Sequence, residues 1–535
     1  MLLVILDPDA CYRAARSRDA RFDGRFFTGV LTTGIYCRPV CPARTPKREN
    51  VRFFACAAAA EEAGFRACRR CRPETAPGTP PWLGTSATVS RALRLIDDGA
   101  LERTDLEGLA ARLGLGGRHL RRLFEDRLGA SPLAVEISRR LRQARTLLDT
   151  SGLSIADVAL ASGFGSVRQF NDSVKRTFGA TPTALRRAGR RPLDGGSAGL
   201  SVRLAYRPPF EWRCLLDFLA RRAIPGVEAV DGSSYRRTFR SNAGPAVLEV
   251  RPAASGHALT LTVPREAAQD LKLLVRQARR LFDLDADPLA IAAALGESPR
   301  LAGSLSARPG LRIAGSWDPF ESFVRALLGQ QVSVQAATTL CGRLVTRHGE
   351  ASGLGPGLER LFPRPERLAA AELTSIGLPG ARAASLRGVA RVAAIDPRLF
   401  EPGASLDELV ARLVALPGVG PWTAHYLAMR VYGEPDAFPS GDLGLRRAAG
   451  GVSGRQLDAL AEPWRPWRAY AAMHLWTQAM EAAHDVRTDD ALDTGGPAAR
   501  GAGGGRPARG RLRRAERRAA RAARPLAPRR AVSRR

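Results

Sequence analysis

The sequence predicts a multidomain α+β chain with four folded parts. These are a small cysteine-stapled α/β domain, an all-α domain of two helix–turn–helix units, a small mixed sheet domain, and an α-helical domain built around a helix–hairpin–helix. Three observations predict it. Cysteines gather in two close pairs near the start. The hydrophobic period turns from helical to alternating near Leu200 and back to helical after Asp283. Runs rich in Pro and Gly, "PETAPGTPPWLG" and "AGRRPLDGGSAG", separate the parts. At 535 residues the chain suits roughly three to five domains rather than one.

Composition narrows the class. With 45% hydrophobic and 25% charged residues the balance is that of a globular protein. No apolar run approaches the ~20 residues that span a bilayer. The opening "MLLVILDPDA" is too briefly apolar for a signal peptide, so the reading is a cytoplasmic protein without a membrane partner. A net charge of +30 points to an anionic partner, nucleic acid before membrane. The stretch from Arg500 to Arg535 holds 14 Arg and one Glu, only part of that charge, so the folded parts are basic too. That stretch is low-complexity Arg, Ala and Gly and reads as a disordered basic tail over 484–535.

In the first part, "TTGIYCRPVC" carries Cys37 and Cys41, and "GFRACRRC" carries Cys68 and Cys71. Two short-spaced pairs can converge on one tetrahedral zinc. Cys11, Cys56, Cys214 and Cys341 are scattered and read as buried thiols. On spacing alone the cluster is a structural staple. The surrounding residues, from about Arg13 to Pro73, resemble the N-terminal domain of Ada-type DNA alkylation-repair proteins: the TTG-aromatic-C-R-P-x-C run, the R-E-N-V stretch and G-F-R-x-C-x-R-C. The resemblance implies one Zn2+ on Cys37, Cys41, Cys68 and Cys71. It also implies that Cys37 is a nucleophile taking a methyl group from a DNA methylphosphotriester. Zinc keeps a thiol deprotonated, and the thiolate is the nucleophile. Nearby Arg38, Arg44, Lys47, Arg48, Arg66, Arg69 and Arg70 are candidate phosphate contacts.

In the second part, "LEGLAARLGLGGRHLRRLFEDRLGASP" has helix–turn–helix form, and "SIADVALASGFGSVRQFNDSVKRTFGATP" repeats it about 50 residues later. The pair, joined by a long helix, resembles the DNA-binding domain of AraC-type regulators. Each second helix would enter a major groove, with Arg118 and His119 as readers in the first unit and Ser166, Arg168 and Gln169 in the second. Leu120, Leu123, Phe124 and Phe178 read as core.

In the third part, "AVLEVRP" and "HALTLTVP" alternate as half-buried strands around an "AASG" turn. In the fourth, "LVALPGVGPWTAHYLAMRVYG" places L-P-G-V-G between two helical segments, a helix–hairpin–helix. Gly418 and Gly420 would turn the backbone tightly and present N–H groups to a phosphate. From about Leu204 to Gln478 the chain resembles AlkA-type 3-methyladenine DNA glycosylases, including "ALLGQQVSVQAA", "AFPSGDLGLRR" and "WRPWRAYAAMHLW". The resemblance implies that Asp442 is the catalytic carboxylate and that Trp422, Tyr426 and Trp476 form the aromatic base pocket; no cysteine cluster follows the catalytic region, so the iron–sulfur cluster of some relatives is not expected. Gly441 stands where relatives often have a second acid. Trp422 stands where strand-cleaving relatives have a lysine, so a monofunctional glycosylase is expected. Gln331 stands at the position of an inserted Leu wedge, and Leu443 where an aromatic is expected. No P-C-H-R motif occurs, so the O6-methylguanine methyltransferase domain of full-length Ada-type proteins is not expected.

The combined expectation has five segments: a zinc/methyl-acceptor domain over 1–77, an AraC-type domain over 85–187, an AlkA-like sheet domain over 199–300, a helix–hairpin–helix glycosylase domain over 301–483, and the tail. The expected partners are double-stranded DNA, both methylated and promoter, and RNA polymerase. The expected state is a monomer on a bacterial nucleoid. The competing reading is a transcription regulator whose glycosylase part only binds DNA.

Overall fold

The computed structural model describes residues 7–77, 87–150, 153–189, 199–401, 403 and 405–492. Residues 493–535, most of the basic tail, lie outside the described residues.

The first part opens with α1 (Pro8–Ser17), capped by the Asp7 side chain, which accepts from Asp9 N. It then builds a four-stranded sheet in the order β3–β1–β2–β4 from β1 (Phe27–Val30), β2 (Ile35–Cys37), β3 (Val51–Phe54) and β4 (Arg66–Ala67), with α2 (Ala57–Glu62) between β3 and β4. β1 runs antiparallel to both neighbours, and β2 runs parallel to β4 with Tyr36 opposite Ala67. That parallel register brings the following residues, Cys37 and Cys68, side by side.

The helical part comprises α3 (Ala87–Asp97), α4 (Ala100–Arg103), α5 (Leu106–Ala111), α6 (Gly117–Leu128), α7 (Pro132–Thr150), α8 (Ile155–Ala161), α9 (Val167–Phe178) and α10 (Pro182–Gly189). The sequence repeat here is a stop–start signal. Both α6 and α9 end on a left-handed glycine, Gly129 at φ 67° and Gly179 at φ 64°. A proline then opens the next helix, Pro132 in α7 and Pro182 in α10. Leu120, Phe124 and Phe178 are buried, and Leu123 packs half-buried against them.

The third part has strands β5 (Gly199–Ala205), β6 (Glu228–Val230), β7 (Tyr235–Ser241), β8 (Gly244–Pro252) and β9 (Ala258–Pro264), with α11 (Trp212–Ala220) between β5 and β6. The order is β5–β9–β8–β7–β6, and every pair is antiparallel. The expectation of a mixed sheet is corrected here. β7, β8 and β9 follow one another through short turns, and only a longer crossover would make neighbours parallel. The mixed sheet is the one in the first part.

α12 (Leu271–Leu281) leads into the second helical block: α13 (Pro288–Leu295), α14 (Pro299–Ala307), α15 (Pro319–Leu328), α16 (Val334–His348), the β10–β11 hairpin (Glu350–Ala351, Arg360–Leu361), α17 (Pro365–Ala369), α18 (Gly380–Ile395), α19 (Leu406–Val414), α20 (Pro421–Arg430), α21 (Leu443–Ala448), α22 (Gly454–Ala461) and α23 (Arg468–Leu492). α23 runs past Glu481, where the helical period of the sequence fades. One apolar core joins the first sheet, the helical part and the second sheet, and another fills the helical block. Cys11, Cys56 and Cys341 are buried as expected, whereas Cys214 is only half-buried.

Candidate functional site

The sulfurs of Cys37, Cys41, Cys68 and Cys71 lie within 4.8 Å of one another. Four thiolates at that range repel strongly without a cation among them, and four sulfurs are the donor set of a closed zinc site. The residues therefore fit one Zn2+. They are not equivalent. Cys68 and Cys71 are buried, while Cys37 and Cys41 are partly exposed. A cleft of about 550 Å3 is lined by Cys37, Cys41 and Cys68, with Arg44, Arg69 and Arg70 at its edge. Cys71 does not line the cleft, and its sulfur accepts the Arg38 backbone N–H at 3.3 Å.

Arg38 itself is removed from the candidate phosphate contacts. Its guanidinium is largely buried, ion-paired with Asp23 and bonded to the Cys71 carbonyl at 3.1 Å. Arg48 is bonded to Asp9 at 3.1 Å. Arg44, Lys47, Arg66, Arg69 and Arg70 remain exposed. Arg69 donates to the Gly179 carbonyl at the end of α9 (2.9 Å), which ties the zinc part to the second helix–turn–helix unit.

Arg118 and His119 on α6, and Arg168 and Gln169 on α9, are all exposed. Ser166 is exposed as well, but its hydroxyl accepts from Gln169 N at 3.2 Å as the N-cap of α9. It serves the helix before any base.

In the helical block, α20, α21 and α23 bring three predicted residues together. Asp442 is the N-cap of α21 and accepts from Leu445 N at 3.0 Å. Trp422, in the first turn of α20, donates its indole N–H to Asp442 Oδ2 at 3.1 Å. Trp476 of α23 donates to Asp442 Oδ1 at 2.9 Å. Two indoles thus hold both carboxylate oxygens, and core packing alone does not describe these tryptophans. Tyr426, one turn on from Trp422, stacks on it with ring centroids 5.6 Å apart and planes at 15°. Arg430 donates to the Tyr426 hydroxyl at 3.0 Å. Leu443 is 62% exposed beside the carboxylate.

The hairpin between α19 and α20 separates its two glycines. Gly418 has φ +77°, and a Cβ there would meet Ser385 Oγ at 2.6 Å. Gly420 caps α20 at φ −86°, and a Cβ would meet nothing within 4 Å. Only Gly418 is required by the turn, so the expectation that both glycines make it is corrected. Gly420 keeps the approach to the α20 N-terminus open. Gln331 is exposed in the left-handed region at φ +58°. Its neighbour Gln330, which sequence reasoning passed over, donates to the Gly418 carbonyl at 2.8 Å and to Thr423 at 3.0 Å, fastening that loop to the hairpin. A polar residue inside an apolar-periodic stretch was the available signal.

Comparison with known proteins finds four family models along the chain. Family models match as the metal binding domain of Ada over residues 10–74, a helix-turn-helix domain over 109–188, the AlkA N-terminal domain over 201–318, and the HhH-GPD superfamily of base excision DNA repair proteins over 324–458. A protein of Mycobacterium tuberculosis (strain H37Rv), described as a probable bifunctional transcriptional activator/DNA repair enzyme AlkA, is 46% identical over 479 residues, 88% of this chain and 96% of its own. DNA-3-methyladenine glycosylase 2 of Escherichia coli K12 is 35% identical over 51% of this chain and 95% of its own. The bifunctional transcriptional activator/DNA repair enzyme Ada of the same organism is 35% identical over 39% of this chain and 56% of its own.

Proposed function

The chain belongs to the family of bifunctional transcriptional activator/DNA repair enzymes of the mycobacterial AlkA kind, and from that premise we propose how its residues divide the work. Cys37 accepts a methyl group from a DNA methylphosphotriester. Its sulfur attacks the methyl carbon, an S–C bond forms, the C–O bond breaks, and the electron pair leaves with the phosphodiester oxygen. Cys41, Cys68 and Cys71 complete the metal site. Zinc, when bound, holds the four sulfurs as thiolates, and methylation of one removes a negative charge from a surface that faces DNA phosphate. The helix–turn–helix units read promoter DNA through α6 and α9, with RNA polymerase as the partner in activation, in a cytoplasmic, monomeric protein.

The helical block hydrolyses the N-glycosidic bond of alkylated purines such as 3-methyladenine. The base leaves the stack and lies against the Trp422 and Tyr426 rings, whose faces attract an electron-poor methylated purine. The bond between sugar and base then breaks with its electron pair going to the base. Asp442 stabilises the cationic sugar and directs a water to it; as the C–O bond forms, the water gives up a proton to the Asp442 carboxylate, which passes it to solvent. The lysine needed for a Schiff base is absent from the Trp422 position, so the reaction ends at the abasic site. Gly420 and the N-terminus of α20 hold a backbone phosphate, and Gln331 fills the space of the departed nucleotide.

The observation that carries the glycosylase reading is the single carboxylate, Asp442, held at both oxygens by aromatic donors. Release of 3-methyladenine from methylated duplex tests it: the wild type should release the base and Asp442→Asn should not, and a wild type that releases no more than Asp442→Asn would leave the DNA-binding regulator as the better reading. For the first part, incubation with methylphosphotriester DNA should raise the intact mass by one methyl, located at Cys37 by peptide mapping. Methylation at Cys41 or Cys68 instead would refute the assignment.

A further inference from the structure

We propose that the helix–turn–helix domain docks on the glycosylase block and supports its pocket helix through Arg91, Arg94 and Glu434, so that reader and excising block form one DNA-handling body. The proposal rests on the glycosylase reading for its consequence but not for the docking itself.

Glu434 lies just beyond the end of α20 and is 1% exposed. A carboxylate so buried needs paired charge, and its cations come from another domain. Arg91 of α3, itself 6% exposed, gives it two hydrogen bonds of 3.2 and 3.1 Å, and Arg94 gives a third of 3.3 Å. Arg94 also donates to the Tyr432 carbonyl. Beside this buried pair the reader also meets the neighbouring sheet domain with complementary charge. Lys272, Arg276 and Arg280 of α12 stand at i, i+4 and i+8, one stripe of the helix. Asp98 and Glu102 of the reader answer them: Asp98 at 3.6 Å from Arg276 and 2.6 Å from Arg280, and Glu102 in contact with Lys272. Arg112 adds a contact to Glu401 at 3.0 Å. Half-buried pairs of this kind contribute modestly one by one. They set register, while the buried Arg91–Glu434 pair requires that the two domains stay together.

The docked face is not the reading face. Arg118, His119, Arg168 and Gln169 remain exposed, so operator DNA and the glycosylase block do not compete for the reader. The contact leads directly into the pocket. Glu434 N donates to the Ala428 carbonyl at 3.0 Å and closes the last turn of α20. In that turn Arg430 holds the Tyr426 hydroxyl, Tyr426 stacks on Trp422, and Trp422 holds Asp442. Glu434 is therefore a positioning residue for the pocket.

The test uses the full chain with Arg91→Met, Glu434→Gln and the double variant. It reads single-turnover release of 3-methyladenine at saturating enzyme, so that chemistry rather than binding is measured. It also reads amide hydrogen exchange along α3 and at 432–434. Each single variant should lower release about tenfold and speed exchange on both sides. The double should be no worse than the worse single, because both remove one contact. Unchanged release and exchange in both singles, or losses that multiply in the double, overturn the proposal. If Glu434→Gln does not fold, Arg94→Met, which leaves Glu434 paired with Arg91, takes its place without the double variant, and unchanged release and exchange in both Arg91→Met and Arg94→Met overturn the proposal. If the wild type releases no base, the glycosylase reading fails, and exchange alone decides the docking.

Discussion

Trp476 and Asp442 are joined by an indole N–H to carboxylate hydrogen bond of 2.9 Å, and Trp422 holds the other oxygen at 3.1 Å from a different helix. The plane of the carboxylate is thereby fixed relative to both α20 and α23. Trp476→Phe keeps an aromatic ring and loses the donor. Small displacements of a catalytic group cost up to about 100-fold in rate. The single-turnover release of 3-methyladenine by Trp476→Phe should fall on that scale while affinity for methylated duplex is retained. Release at the wild-type rate would mean that the tryptophan serves only as a wall.

Gly418 and Gly420 look alike in the sequence and differ in the fold. Gly418 sits at φ +77° with Ser385 Oγ 2.6 Å from any added Cβ, so Gly418→Ala meets both backbone strain and a clash. The left-handed conformation alone costs an L-residue about 1–2 kcal/mol. Gly418→Ala should lower thermal stability and weaken binding to unmodified duplex. Gly420→Ala, with open space at its Cβ, should leave stability unchanged. Equal melting temperatures for the two variants would remove the distinction.

This difference also marks what could be read in advance. The cysteine pairs were legible because zinc spacing is local. The repeat in the helical part was legible because a glycine stop and a proline start recur in sequence. What was not legible depended on contacts between distant segments. Nothing near Tyr36 announces that it pairs in parallel with Ala67, and that register is what brings Cys37 to Cys68. Arg38 looks like its basic neighbours, yet Asp23, 15 residues earlier, draws it inward. Glu434 is an ordinary acid in the sequence, since its partners lie more than 300 residues upstream. Asp442, Trp422 and Trp476 could be named from family resemblance, but their mutual hydrogen bonds could not.

Ser166 and Arg168 can be told apart by the same logic. Ser166 caps α9 by accepting from Gln169 N at 3.2 Å, whereas Arg168 projects into solvent. Ser166→Ala should cost about 1 kcal/mol of stability. Arg168→Ala should leave the melting temperature within error and weaken operator binding. A footprint unchanged in Arg168→Ala would remove it from the readers.

His474, on the same helix as Trp476 and two residues before it, makes stability depend on pH. It is 2% exposed, with Nδ1 2.8 Å from Ser304 Oγ. Burial, and then the nearby Arg308 charge, push its pKa down to about 4 from 6.5. Between those values the unfolded chain binds a proton that the folded chain refuses. The contribution is therefore complete above pH 6.5 and is lost progressively as pH falls toward 4, by about 3 kcal/mol. Other groups titrate in this window, so the measurement is a difference. Denaturant unfolding of the wild type and of His474→Gln is compared from pH 7.5 to 4.5. Glutamine keeps a polar partner for Ser304 and does not titrate. The wild type should lose stability more steeply than the variant over this range. Parallel curves would show that His474 carries its proton in the folded state, and that the interior around Trp476 is wetter than its burial indicates.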